Sequence, residues 1–484
     1  MKKNGYRAVI RQTASALLSL SLLFPAATAV LAADKPDADS ARMNEVLDLI
    51  EQYHVSAPSR ESLTDIAIQS MVRSLDDPYT VYFTPEDYKK FSNSLENYYV
   101  GIGVRVRAFN NGAYINEVFD GPAKKAGMLP GDRIIEVNGE STEGLTIDEI
   151  SRKIIGPEGT KVSVTVERDG QNVVLSMSRQ TYQAPVVTHK LFGKDVGYIR
   201  VTSFSSEADE QTAAQLAELK QQGIGSLVLD LRYNPGGLNE TAINMAKLFV
   251  KQGILIHTKD KNNVDVPVKF SGGTTQPFPL YILVNEYSAS ASEVLTGALQ
   301  DYNVATKVIG TNTYGKGSVQ SLIPLSSGGA LKVTIEEYLT PKLRKVNHIG
   351  LKPDIEVEGE LSQLITALHE AGIKEIKVGL DRQGVSVNQM YVEDYFDVIR
   401  DQGDLYVPSR LLSTLVDGLI RWNGEAEAIE VTAAGETHTY RTSDGSVLLK
   451  NGTSYLNISK FKEAFPQLKW SDNGVEVDLS ASKG

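Results

Sequence analysis

Two short runs of apolar residues, Ser226–Leu231 and Leu280–Val284, restrict the fold of this chain more than any other feature. Neither alternates with polar residues, so neither offers a wet face. Strands of this kind are buried on both sides, in a parallel sheet covered by helices. The neighbouring segments agree. Val196–Val201 reads as another strand, and Glu207–Gln222, Glu240–Val250 and Ala291–Tyr302 read as helices. Strand and helix therefore alternate over residues 195–357, which predicts an α/β layer. Such a sheet presents at its carboxyl edge whatever its strand-to-helix turns carry.

At 484 residues the chain exceeds one core, and about three or four domains are expected. Residues 34–98 read as helical. Met43–Ile50 has helical spacing, a second helix runs from about Leu63 to Leu75, and Asp76-Asp77-Pro78-Tyr79 breaks it. Thr84 is placed to cap a third helix, with Pro85 at its first position and Asp87 three residues on. Residues 99–181 change to short alternating strands with hairpin turns at Asn138-Gly139 and Asp169-Gly170. Residues 372–484 look separate and carry a weak repeat. Tyr406-Val407-Pro408-Ser409 leads to Trp422, and Tyr455-Leu456-Asn457-Ile458-Ser459 leads to Trp470. The chain's two tryptophans fill the matching slot, which predicts two similar half-units packed on each other.

Residues 1–33 carry Lys2, Lys3, Arg7 and Arg11 and no acid, then a Leu-rich run Ala16–Phe24, then Val30-Leu31-Ala32. That is the pattern of a secretory signal peptide spanning residues 1–32, with cleavage expected after Ala32. An uncleaved anchor is the other reading, since Gln12–Ala33 is 22 uncharged residues. The expected location is extracytoplasmic, either secreted or held at the membrane by that segment. With 49 basic and 60 acidic residues the net charge is −11, a poor match for nucleic acid. The absence of cysteine excludes disulfides, thiolate nucleophiles and zinc–thiolate sites.

Four segments could carry chemistry. Tyr287-Ser288-Ala289-Ser290-Ala291-Ser292-Glu293 joins an apolar strand to a helix. Unpaired N–H groups of a first helical turn suit a developing oxyanion, although serine is also a common helix cap. Thr313-Tyr314-Gly315-Lys316-Gly317-Ser318-Val319-Gln320 sets a lysine between two glycines. Desolvation lowers a lysine's pKa, and the neutral amine can deprotonate a serine; an exposed loop lysine is the bland alternative. The arrangement is not a phosphate loop, because Gly317 stands where Ser or Thr is needed. Asp230-Leu231-Arg232-Tyr233-Asn234-Pro235-Gly236-Gly237 ends a buried strand in a turn that can offer an N–H. Tyr99-Val100-Gly101-Ile102-Gly103-Val104 can form a carboxylate nest beside a strand edge. The six histidines show no metal-ligand spacing. A Ser–His–Asp triad stays open, with nothing nominating its members.

In combination these segments resemble the carboxyl-terminal processing peptidases, or tail-specific proteases, over about Met43 to Glu356. The match includes Leu75-Asp76-Asp77-Pro78-Tyr79-Thr80, then Gly101-Ile102-Gly103-Val104, Gly121-Pro122-Ala123 and Pro130-Gly131-Asp132 of a PDZ-like domain. It continues through Asp230-Leu231-Arg232, Asn234-Pro235-Gly236-Gly237, Ser288-Ala289-Ser290-Ala291-Ser292-Glu293, Tyr314-Gly315-Lys316-Gly317 with Gln320, and Gly350-Leu351 with Pro353-Asp354. The resemblance implies a crotonase-like α/β serine peptidase core (182–371), an inserted PDZ β domain (99–181) and a helical N-terminal segment (34–98) that forms a homodimer. It also implies a Ser/Lys dyad of Ser290 and Lys316, with Gln320 orienting the lysine. Ala291 and either Gly236 or Gly237 would donate to the oxyanion, and Gly101, Ile102, Gly103 and Val104 would bind the substrate's C-terminus. No cofactor or metal is implied. Ser290 and Lys316 are one residue further apart than the family spacing, with the extra residue near Tyr302–Lys307. An insertion at a strand end would leave Ser290 in place, whereas a shift of register would raise Ser292.

Residues 372–484 resemble a copper amine oxidase N-terminal-type domain, a small α+β unit for which cell-wall or envelope attachment is expected. The expected function is hydrolysis of exported proteins near their C-termini through an acyl-enzyme. An inert PDZ scaffold for envelope proteins is the rival. A crotonase-type acyl-CoA enzyme would share the core while lacking the export signal and PDZ domain.

Overall fold

The computed structural model describes residues 38–95, 98–109, 112–183, 185–381, 384–392, 394 and 396–483. The expected export signal, residues 1–32, lies outside them. Among the described residues no helix is long and apolar enough to cross a membrane. The described residues divide into two compact units, those up to 91 with 318–336, and those from 92 to 317 with 337–483.

In the first unit, helices Ala38–Tyr53 and Arg60–Arg73 precede strand Val81–Phe83. Ser59 caps the second helix by accepting from Ser62 N–H at 3.2 Å. Thr84 caps the next one, accepting from Asp87 N–H at 3.2 Å, as the sequence predicts. Val81, Tyr82 and Phe83 pair antiparallel with Lys332, Leu331 and Ala330. Phe83 and Phe91 stack with centroids 4.7 Å apart, and the Lys332 ammonium lies 5.8 Å and 5.3 Å from the two rings. Its methylene stem covers apolar surface, and burial lowers the ammonium's pKa.

The second unit begins with a six-stranded antiparallel sheet containing Val104–Phe109, Gly112–Val118, Arg133–Val137, Lys161–Arg168 and Gln171–Ser178. Both expected hairpins form. Asn138 and Gly139 have φ of 54° and 78°, and Asp169 and Gly170 have φ of 51° and 75°, the positive values that a two-residue hairpin turn requires. Ile102, Ile115, Ile134 and Val164 fill the core of this sheet.

A second six-stranded sheet runs in the order Val187–Phe192, Val196–Val201, Ser226–Asp230, Leu280–Val284, Ala305–Gly310 and Ile355–Glu356. The first pair is antiparallel and the others are parallel. Every residue of Ser226–Asp230 and Leu280–Val284 is buried, which is why neither run alternates in sequence. A bulge falls in the stretch 302–307 where the extra residue is expected. Leu280 faces Ala305 while Tyr281 faces Lys307, and the skipped Thr306 accepts from Leu280 N–H through Oγ1 at 3.1 Å. Register then holds to Val284 opposite Gly310, so the carboxyl edge is undisturbed.

The repeat of residues 372–484 is built as strand, helix, strand. Asp404–Pro408, Ser409–Leu415 and Leu419–Asn423 correspond to Thr453–Asn457, Ile458–Ala464 and Lys469–Asp472. The two leading strands pair with each other, Val407 opposite Leu456. This region shares one apolar core with the parallel sheet. Tyr198, Val228 and Leu283 belong to the same cluster as Leu364, Leu368, Val407, Leu412 and Leu456. Helix Glu360–Glu370 is the layer between them.

His369 ends that helix, buried, with Nδ1 3.0 Å from Ile373 O. Burial lowers its pKa below 6.5. The unfolded chain therefore takes up this proton first as pH falls, so the stability due to neutral His369 is present above about pH 6.5 and lost below it. The urea midpoint is expected to fall between pH 7 and pH 5.5, and His369→Gln should flatten that slope. An unchanged slope in the variant removes His369 from the account.

Candidate active site at the carboxyl edge of the sheet

Two strand-to-helix turns meet at the edge of Ser226–Asp230 and Leu280–Val284. Leu231 N–H donates to Leu283 O at 2.9 Å, and Ala289 N–H donates to Asn234 O at 3.0 Å. Asn285 Oδ1 accepts from Tyr233 N–H at 3.0 Å and Tyr287 N–H at 3.2 Å. The three serines of the second turn fare differently. Ser288 is fully buried and its Oγ donates to Leu231 O at 2.9 Å. Ser292 is also fully buried and its Oγ donates to Asn234 O at 2.9 Å. Ser290 is only half-buried, at the N-cap of helix Ala291–Asp301. Its backbone is strained, with φ 55° and ψ −117°. Such a conformation costs about 1–3 kcal/mol in a residue with a Cβ and persists where neighbouring contacts over-determine it.

Glu293 supplies those contacts. Its carboxylate is fully buried and accepts four hydrogen bonds. Oε2 takes Ser290 N–H at 3.0 Å and Lys316 N–H at 2.9 Å. Oε1 takes Gly315 N–H at 2.7 Å and Thr313 Oγ1–H at 2.5 Å. Burial pushes the Glu293 pKa up and the four donors pull it back, leaving it above the ordinary glutamate value. The serine turn and the lysine loop are thus held on one side chain. Lys316 is half-buried there. Gly317 is required next to it, because a Cβ would lie 2.2 Å from Asn347 N.

The Asn-Pro-Gly-Gly turn presses against the same serine. A Cβ on Gly236 would stand 2.7 Å from Ala289 O, 2.8 Å from Ala291 N and 2.9 Å from Ser290 Cβ, and its φ is +97°. Gly236 N–H is committed to Asn234 Oδ1 at 2.9 Å. Gly237 bridges in parallel to Phe204, where Phe204 N–H donates to Gly236 O and Leu238 N–H to Phe204 O. Of the residues singled out from sequence, Ser290, Ala291, Gly236 and Lys316 are therefore gathered at one place. Gln320 belongs to the first unit, where its Nε2 donates to Ser318 Oγ at 2.8 Å and Thr334 Oγ1 at 3.3 Å. Gly101 ends strand Tyr98–Gly101, which pairs with Gln180–Gln183, and Ile102-Gly103 turns from it into Val104, the first residue of the antiparallel sheet. Ile102 is buried in its core, while the carbonyls of Ile102 and Gly103 accept from Ala123 and Phe119 N–H at 2.9 Å each. Among the described residues no group of three or more His, Asp and Glu side chains could hold a metal ion.

The comparisons with known proteins agree with this architecture. Residues 195–357 match Peptidase family S41, residues 116–168 match a PDZ domain, and residues 26–87 match the N-terminal domain of the activating protease CtpB. A "probable CtpA-like serine protease" of Staphylococcus saprophyticus is 33% identical over 380 residues, covering 76% of this chain and 77% of that one. The chain belongs to the carboxyl-terminal processing peptidases of family S41. A Staphylococcus aureus protein of the same description is 33% identical over 367 residues, covering 72% and 74% of the two chains. The solved photosystem II D1 C-terminal processing protease is 27% identical, covering 66% of this chain and 94% of that one, with a TM-score of 0.43.

Four further polar residues, to which the sequence assigns no task, hold the turns together. Glu293 joins the two loops, and Asn234, Asn285 and Thr313 brace them through buried side chains. Their signal was faint, because each is one polar residue in a loop already full of them. Gly236→Ala should force Ser290 and Ala291 aside and lower kcat on a peptide substrate by about 100-fold or more, on the scale of losing one oxyanion donor. Turnover within fivefold of wild type would contradict the packing described.

Proposed function

We propose that this C-terminal processing serine peptidase cleaves exported proteins through an acyl-enzyme on Ser290, with Lys316 as general base. In this reading the Lys316 amine takes the Ser290 proton, Ser290 Oγ attacks the scissile carbonyl, and Lys316 returns the proton to the leaving amine. A water activated by the same amine then hydrolyses the ester. The observation that carries this reading is the shared Glu293 carboxylate, which binds the backbone of Ser290 and of Lys316 at once. The other two serines of the turn support it by being spent on backbone carbonyls.

For the oxyanion, Ala291 N–H and Gly237 N–H are the proposed donors, since Gly236 N–H is engaged with Asn234. Gln320 keeps the lysine-orienting role on the family motif alone. The Gly101-Ile102-Gly103-Val104 turn is the proposed seat of the substrate's C-terminal carboxylate. Its inward-facing carbonyls favour amides turned toward a ligand. The parallel order of the peptidase sheet supports a crotonase-like core. The proposed domains are 34–98, 99–181, 182–371 and 372–484, with 1–32 as an export signal. Homodimerisation through the N-terminal helices, and envelope attachment by an amine-oxidase-like terminal domain, rest on resemblance.

Ser290→Ala and Lys316→Ala should each abolish cleavage of an unfolded protein substrate such as casein while both variants keep the wild-type circular dichroism spectrum. Full activity in either one refutes the dyad. Amidating the C-terminus of a peptide substrate should raise KM about tenfold or more through loss of the charged acceptor. Equal KM for acid and amide removes the carboxylate nest.

A further inference from the structure

Arg232 stands two residues before the turn that presses on Ser290, and it is 1% exposed. A guanidinium so placed must have its charge and its five N–H donors met within the protein. Asp230 meets part of this, accepting from Nε at 3.0 Å and from Nη2 at 2.6 Å. The same carboxylate also serves Tyr198 Oη–H at 2.7 Å and Arg232 N–H at 2.9 Å. Glu360 O accepts from Nη1 at 2.6 Å and Gln363 Oε1 at 3.4 Å. The second carboxylate comes from 162 residues downstream. Asp394, 6% exposed, has Oδ2 3.3 Å from Nη2 and Oδ1 3.2 Å from Nη1. The planar fork is thereby gripped on two edges, and its rotation is fixed.

That rotation matters because the backbone on both sides of Arg232 is stitched to the serine turn. Leu231 O receives Ser288, Tyr233 N–H shares Asn285 with Tyr287, and Gly236 lies against Ser290 and Ala291. We propose that Asp394, contributed by the terminal region, is a positioning residue for the turn carrying Gly236 and Gly237, so that the peptidase centre is complete only with that region docked. The proposal deepens, and rests on, the reading of Ser290 as nucleophile.

The test compares full-length wild type with Asp394→Asn, Asp394→Glu, Val392→Ala and Ser290→Ala, scoring kcat and KM per folded molecule on one fluorogenic peptide. Near-UV circular dichroism measures the folded fraction. Asp394→Asn should lower kcat 10- to 100-fold with KM within twofold, and Asp394→Glu should recover at least a third of the wild-type kcat. Val392→Ala loosens the same region without touching Arg232, and should lower Tm with kcat within twofold. The proposal is overturned by an Asp394→Asn kcat within threefold of wild type, or by a Val392→Ala loss as deep as that of Asp394→Asn. Should Asp394→Asn not fold, Asp394→Ser, which leaves room for a water beside Arg232, is held to the same limits. Turnover persisting in Ser290→Ala defeats the nucleophile reading. A dead Ser290→Ala beside a fully active Asp394→Asn defeats only the positioning role.

Discussion

The two turns at the carboxyl edge of the sheet are organised around a carboxylate that water cannot reach. Taking an ionised glutamate out of water costs several kcal/mol unless hydrogen bonds replace its hydration. Glu293 recovers that cost only when Ser290, Thr313, Gly315 and Lys316 all direct their donors at it. Those donors sit on segments separated by helix Ala291–Asp301 and strand Ala305–Gly310. Neither loop can drift without stranding the charge. The strain in the Ser290 backbone is held by the same arrangement, since its N–H is one of the four donors.

Around this centre, buried polar side chains act as braces rather than reagents. Asn234 receives Gly236 N–H on its side chain, donates from Nδ2 to Val201 O at 2.8 Å, and offers its carbonyl to Ser292. Asn285 performs the same service for the tyrosines flanking both turns. Such networks are rigid when fully satisfied and costly when not.

Much of this was legible in sequence because it is local. Unbroken apolar runs give away buried strands, positive-φ pairs such as Asn138-Gly139 mark hairpins, and the serine and lysine turns fall at element ends. The tyrosine–tryptophan repeat announced its strand–helix–strand unit for the same reason. What stayed hidden is long-range. Nothing near Arg232 in the chain points to Asp394, and no periodicity in residues 372–484 reveals that its core continues into the peptidase sheet. Contacts of that kind depend on how elements stack, a property that local spacing does not encode.

The bulge at Thr306 has a consequence for how distances along such chains are counted. It lies where strand Ala305–Gly310 enters the sheet, far from the end that leads toward Lys316. An added residue there is absorbed before the ladder regains step, and the carboxyl edge never feels it. The same residue added after Gly310 would have no ladder left to correct it and would shift Lys316 relative to Glu293 and Ser290. Tolerance to length change is thus directional in a parallel sheet, generous where strands enter and strict where they leave.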